Sequence, residues 1–156
     1  MELAINTQGK LVCQYPIPEL YKAAINQKVQ EWIDDGVVEQ APDNCQWNLP
    51  LLGAKKPDKQ GGSDGVWTCL DAQKTNDAIV DMPDSSLPTL REVQDVLERF
   101  KYITVLDLAD SYHQFGIKKK DQVKTAFTWG KHGQLMFKKV PFGLKIMIEY
   151  MQKPME

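Results

Sequence analysis

Histidine and paired cysteine are scarce in this chain, which has two His and three Cys among 156 residues, and Cys13, Cys45 and Cys69 form no CxxC pair. An odd set of spaced thiols makes neither a disulfide frame nor a zinc site and fits reduced, buried cysteines in an intracellular chain. A structural metal has few ligands to find. Nor does any apolar run approach the ~20 residues of a membrane helix, and the opening MELAINTQGK has neither a basic n-region nor an apolar h-region. Secretion and membrane spanning are therefore not expected; the expected setting is cytoplasmic or nuclear. What is present suits a folded chain: hydrophobic residues at 42%, charged residues at 26% and four Trp lie close to globular averages, which argues against disorder, collagen and coiled coil. The length allows one domain of ordinary size with its own core.

Charge is informative once it is located. The formal net charge is −2, yet between Lys118 and Lys139 seven Lys stand against Asp121 alone, a local charge of +6 that leaves about −8 for the remainder. Such a segment suits contact with a polyanion, and equally a solvated, Lys-rich hairpin face.

Along the chain, Tyr15-Pro16-Ile17-Pro18 imposes an extended entry, and from Glu19 the positions Tyr21, Ile25, Val29 and Trp32 recur at helical spacing until Asp34-Asp35-Gly36. Val37-Val38, Trp47 to Ala54 and Val66 to Asp71 read as strands, the last two forming a hairpin with a long, basic-rooted tip from Lys55 to Gly65. Thr89 and Glu92 have capping-box spacing ahead of an apolar stripe of Leu90, Val93, Val96, Leu97 and Phe100, so a second amphipathic helix is expected there. Tyr102 to Leu108 is β-rich and carries Asp107, followed by Ala109-Asp110-Ser111-Tyr112, a turn into a short helix. Thr125 to Trp129 and Gln134 to Val140 form another hairpin around Gly130-Lys131-His132-Gly133, and Pro141-Phe142-Gly143 turns into a last segment. Short strands between two or three helices give an α+β class with mainly antiparallel pairing.

Asp107 is the leading candidate for chemistry. A carboxylate that shares a strand face with Ile103 and Val105 is costly to bury unless a cation neutralises it. A divalent ion with oxygen preference would do so, taking the Asp107 carboxylate, the Leu108 carbonyl and substrate phosphates as ligands. The plain alternative is that Asp107 caps the turn that follows. Asp110 sits where an N-cap belongs, and Tyr112 suits either a core position or a pocket wall.

The run Val105-Leu106-Asp107-Leu108-Ala109-Asp110-Ser111-Tyr112-His113-Gln114, followed by Val140-Pro141-Phe142-Gly143-Leu144, resembles the reverse transcriptases of gypsy-type long-terminal-repeat retrotransposons, with the retroviral enzymes as more distant relatives. Upstream, Ala54-Lys55-Lys56-Pro57-Asp58, Cys69-Leu70-Asp71 with Asn76, and Leu87-Pro88 extend the resemblance over roughly residues 15 to 144. It implies part of a right-hand polymerase fold, fingers plus an incomplete palm. Residues 1–14 would be a lead-in, 15–80 the first part of the fingers, 81–114 the first part of the palm, 115–142 the second part of the fingers with the basic hairpin, and 143–156 the truncated start of a palm helix. By position Asp107 is then a catalytic magnesium ligand, Leu108 supplies a carbonyl to a second ion, and the Asp110 and Ser111 amides meet the incoming triphosphate. Tyr112 falls on the steric gate that excludes ribonucleotides. Lys56 matches a fingertip cation that closes on the γ-phosphate, and Phe142 and Gly143 the floor of the nucleotide pocket. Lys118, Lys119, Lys120, Lys124, Lys138 and Lys139 would lie along template and primer backbones. The implied chemistry is two-metal nucleotidyl transfer, with magnesium, deoxynucleotide and primer-template as partners.

Departures temper the implied activity. The family's aromatic-x-Asp-Asp hairpin is absent from the thirteen residues after Gly143, and Trp32-Ile33-Asp34-Asp35 imitates it only at a helix end. One carboxylate in place of a pair should bind magnesium weakly, so the chain alone is expected to be inactive. Trp67 and Gln73 stand where two Arg are expected, and Trp offers an oxyanion no bidentate fork. An unfinished palm would leave an open edge and an apolar patch, with self-association expected there. Two other readings stand beside that of a polymerase fragment: a non-catalytic module that binds RNA or primer-template through the basic hairpin, and an α+β interaction domain.

Overall fold

The computed structural model describes residues 1–3, 9–56, 65–80, 88–105 and 111–152. In chain order its elements are α1 (Glu19–Asp34), β1 (Val38–Gln40), β2 (Leu51–Lys55), β3 (Val66–Leu70), α2 (Gln73–Ala78), α3 (Leu90–Leu97), α4 (Lys119–Gln122), β4 (Phe127–Thr128), β5 (Gln134–Phe137) and α5 (Met147–Gln152), with short 3-10 turns at Ser111–Gln114, Val123–Thr125 and Gly130–His132. This is the α+β class with antiparallel pairing that the sequence leads one to expect.

Helix α1 buries the stripe of Ile25, Val29 and Trp32. It stops at Gly36, whose φ of +66° is open to glycine without steric cost. Gly36 N–H donates to the Ile33 carbonyl at 3.1 Å and Val37 N–H to the Trp32 carbonyl at 2.8 Å, the paired bonds of a Schellman C-cap. Trp32-Ile33-Asp34-Asp35 is thus a helix terminus. The chain then enters a three-stranded sheet of order β1-β5-β4, with Val38 opposite Phe137 and Phe127 opposite Leu135. Trp32 meets Phe137 and Phe127 edge-on at 5.1 and 6.3 Å between ring centroids, which locks α1 across this sheet.

Strands β2 and β3 form a separate hairpin, pairing Ala54 with Trp67 and Gly53 with Thr68. The expected strand from Trp47 begins only at Leu51. Asn48 instead joins the N-terminal segment, its N–H donating to the Lys10 carbonyl and its own carbonyl accepting from Val12 N–H, both at 2.8 Å. The expected hairpin at 125–140 is likewise shortened to β4 and β5, and 119–125 is helical.

One core collects α1, β1, β2, the end of β3, β4, β5 and the residues from Val140 to Met147. Residues 88–105 contribute nothing to it. Helix α3 has its full capping box, Thr89 and Glu92 bonding reciprocally, but none of its residues is buried. Tyr102 to Val105 carry no ladder and are exposed, so the described part of the expected strand is absent, while 106–108 lie outside the described residues. The cysteines are free as expected but less buried than expected: Cys13 is exposed, and Cys45 and Cys69 are half-buried. Among the described residues no helix is long and apolar enough to cross a membrane.

Candidate functional site

A cleft of about 1270 Å³ opens between α1, the β2–β3 hairpin, the 3-10 turn at Ser111 and the Pro141-Phe142 turn. Lys56, Ser111, Tyr112 and Phe142, candidates drawn from three distant stretches of sequence, all line it, and so does Trp67. Gly143 adjoins the same wall. Asp107, Leu108 and Asp110 lie outside the described residues.

The floor is fixed by polar bonds. Gly143 has a φ of +109°, and a Cβ there would meet the Leu70 carbonyl oxygen at 3.2 Å, so glycine lets the turn lie close against the end of β3. Asn76, on α2, donates through Nδ2 to the Gly143 carbonyl at 2.8 Å and accepts at Oδ1 from Lys145 N–H at 2.9 Å. One side chain thereby pins the two residues that flank Leu144, on the C-terminal side of Phe142. The asparagine was legible as part of the motif set, but its clamping role was not, because it depends on a contact across 67 residues.

Three rings follow one another along the wall. Tyr112 and Phe142 meet edge-to-face at 5.2 Å, and Phe142 and Trp67 at 6.2 Å. Tyr112 is half-buried against the core, whereas Phe142 and Trp67 remain 44% and 46% exposed. At the mouth, Lys56 N–H donates to the Gly65 carbonyl at 2.8 Å, and the Lys56 stem lies across that glycine. Lys55 and Lys56 are exposed and have no ion-pair partner among the described residues. Glu31 on the α1 side is held below the usual carboxylate range, first by the hydrogen bond from Lys28 and then by that from Gln27. Burial pushes the Cys69 thiol up, which disfavours a thiolate nucleophile in this cleft.

Among the described residues no three His, Cys, Asp or Glu side chains group as metal ligands. The carboxylate that lines the cleft, Glu31, is already bonded to Lys28 and Gln27. These described donors do not make a magnesium site.

The cationic segment has a different character from the cleft. Glu2 accepts hydrogen bonds from both Lys118, at 2.6 Å, and Lys120. Lys124 bonds the Leu3 carbonyl at 2.7 Å and the buried carboxylate of Asp121, which also accepts from Leu3 N–H at 3.0 Å. Lys138 stands 3.6 Å from Glu39. Lys119, Lys131 and Lys139 have no ion pair among the described residues. Sequence reasoning missed Glu2 as the neutralising partner, since residues so far apart give no local signal.

No protein-family model matches the chain. The retrovirus-related Pol polyprotein from transposon opus of Drosophila melanogaster is 31% identical over 146 residues, covering 92% of this chain and 14% of that polyprotein. That from transposon 297 of the same organism is 30% identical over 85% of this chain and 12% of its own length, and the Gag-Pol polyprotein of feline leukemia virus 28% identical over 85% and 8%. The chain is homologous to a stretch of retroelement Pol polyproteins. It spans 14% or less of the length of these relatives. Within this Pol segment, residues far apart in sequence meet at the cleft because the core unites chain on both sides of residues 88–105.

Proposed function

We propose that this Pol segment is the fingers and first palm portion of a gypsy-type reverse transcriptase, and that the cleft is its nucleotide side. The observation that carries the reading is the convergence of Lys56, Ser111, Tyr112 and Phe142 on one cleft. Their chemistry suits a nucleotide: a cation for phosphates at the mouth, a half-buried turn at Ser111 beside them, and rings for a sugar and base. Asp107 and Leu108 would offer a carboxylate and a carbonyl to magnesium, whose chemistry is to lower the charge on phosphate oxygens. These 156 residues contain no aromatic-x-Asp-Asp motif after Gly143, so by themselves they are proposed to bind without extending a primer.

Equilibrium dialysis of labelled dATP against the chain tests this. Lys56→Ala and Phe142→Ala should each weaken retention about threefold or more, while Lys119→Ala, which does not line the cleft, leaves it unchanged. A primer-extension assay should stay blank. Absence of any retention at millimolar nucleotide, or equal retention by all three variants, would sink the reading.

A further inference from the structure

We infer that Trp67 makes this cleft select its ligand by the base, with little dependence on how many phosphates that ligand carries. The inference rests on the nucleotide reading above and deepens it.

Of the four tryptophans, Trp32, Trp47 and Trp129 are 5, 6 and 8% exposed, as large apolar rings in a folded chain should be, while Trp67 is 46% exposed on the wall of a cleft. Leaving an indole in water is unfavourable, so an exposed one in a concave site marks a place where a ligand covers it. Its position is set by two contacts. Trp67 sits on β3 in register with Ala54, whose small side chain gives it room, and its ring is braced edge-to-face by Phe142. Phe142 is in turn braced by Tyr112 and by the Asn76 clamp behind Gly143. A planar π-face is the chemistry such a braced indole takes, and every nucleobase supplies one.

Among the described residues the phosphate side of the cleft is thin by contrast. Lys55 and Lys56 are its cations without an ion-pair partner among the described residues, and both are exposed ammonium groups at a strand end. An exposed ammonium is a strongly hydrated point charge that binds an oxyanion weakly, and it lacks the planar fork by which a guanidinium holds two phosphate oxygens at once. Adding phosphates should therefore add little affinity, and removing the ring should remove most of it.

The test is binding of dAMP, dATP and inorganic tripolyphosphate to the full chain by equilibrium dialysis, with Trp67→Ala, Trp67→Phe and Trp67→Arg. Trp67 is exposed, so the variants should keep the wild-type circular dichroism and melting temperature. Expected are dissociation constants for dAMP and dATP within about threefold of each other, a loss of about tenfold for both in Trp67→Ala, and near-retention in Trp67→Phe. Trp67→Arg should favour dATP over dAMP. Nucleotide should also quench wild-type tryptophan fluorescence and quench that of Trp67→Phe much less, Trp32 being the other tryptophan that lines the cleft. Binding of dATP at least tenfold tighter than dAMP, or full competition by tripolyphosphate, or an unaltered Trp67→Ala, would overturn the inference while leaving the nucleotide cleft standing. No nucleotide binding at all would overturn both.

Discussion

Helices α1 and α3 are both amphipathic in sequence, and they meet opposite fates. The first lays Ile25, Val29 and Trp32 into the core. The second, better capped at its N-terminus than the first, leaves Leu90 and Val96 at 75 and 52% exposure, and the expected stripe residue Phe100 lies beyond its end at Leu97. A hydrophobic stripe specifies which face a helix would bury and says nothing of what covers it. Capping and periodicity are local, whereas burial needs a partner surface, and for α3 no described residue supplies one. Stability should accordingly be concentrated in α1 and its sheet.

The sharpest way to break this contrast is to truncate matched positions. Ile25 is fully buried and its Cδ1 lies against Gly53, so Ile25→Ala should cost about 2–5 kcal/mol. Val96→Ala should stay within about 0.5 kcal/mol. Urea denaturation at constant slope reads both, and equal costs would show that α3 is covered in solution. Val96→Lys should be tolerated as well and raise solubility by interrupting the stripe.

Next in size is a polar contact at the other end of the core. Asp121 is 1% exposed and binds Leu3 N–H and Lys124, so Asp121→Ala leaves a buried amide without its acceptor and leaves the Lys124 ammonium with the Leu3 carbonyl but no carboxylate partner. A loss of about 3 kcal/mol is expected, again by urea denaturation. A loss below about 0.5 kcal/mol would mean that residues 1–3 do not dock as described.

These two sites also show what could be read from the sequence. Helix α1, its glycine stop, the hairpin around Gly130-Lys131-His132-Gly133 and the capping box all follow from spacing and from residues with special backbone or capping habits. The gathering of Lys56, Ser111, Tyr112 and Phe142 was legible only through motif order, because no periodicity reports contacts between residues so far apart. Asp121 looked like the one acid in a basic run, and its burial under Leu3 has no local signature. The strand at Tyr102 to Val105 failed for the same reason as the burial of α3: β-propensity needs a neighbouring strand to pair with.

Removing the cap of α3 has a smaller and more local effect. Glu92 is held below its ordinary range chiefly by the hydrogen bond from Thr89 N–H and then by that from the Thr89 hydroxyl. Thr89→Ala should destabilise the helix by about 1 kcal/mol. With α3 outside the core, that loss should appear as roughly fivefold faster amide exchange in residues 90–97 and not in global unfolding. A fall in global stability by the full amount would mean that α3 and the core unfold as one unit.

The smallest effect concerns charge, and it separates the cationic segment from the cleft. Hydrogen bonds from Lys118 and then Lys120 lower Glu2 from 4.5 to about 2. A depressed acid stabilises the fold fully above its unfolded value, so the contribution is intact above about pH 4.5 and disappears as pH falls toward 2. The pair is solvent-exposed, so salt should screen it. An NMR titration of Glu2 should show a midpoint well below that of an unpaired glutamate at low ionic strength and a return toward 4.5 in about 1 M salt. Glu2→Gln should frees no buried group, so its stability change should be slight, but it releases two lysines. If Lys118 and Lys120 then strengthen binding of the chain to an oligonucleotide while dAMP binding in the cleft stays the same, the two basic regions act independently. A parallel rise in dAMP binding would instead tie the N-terminal contact to the cleft.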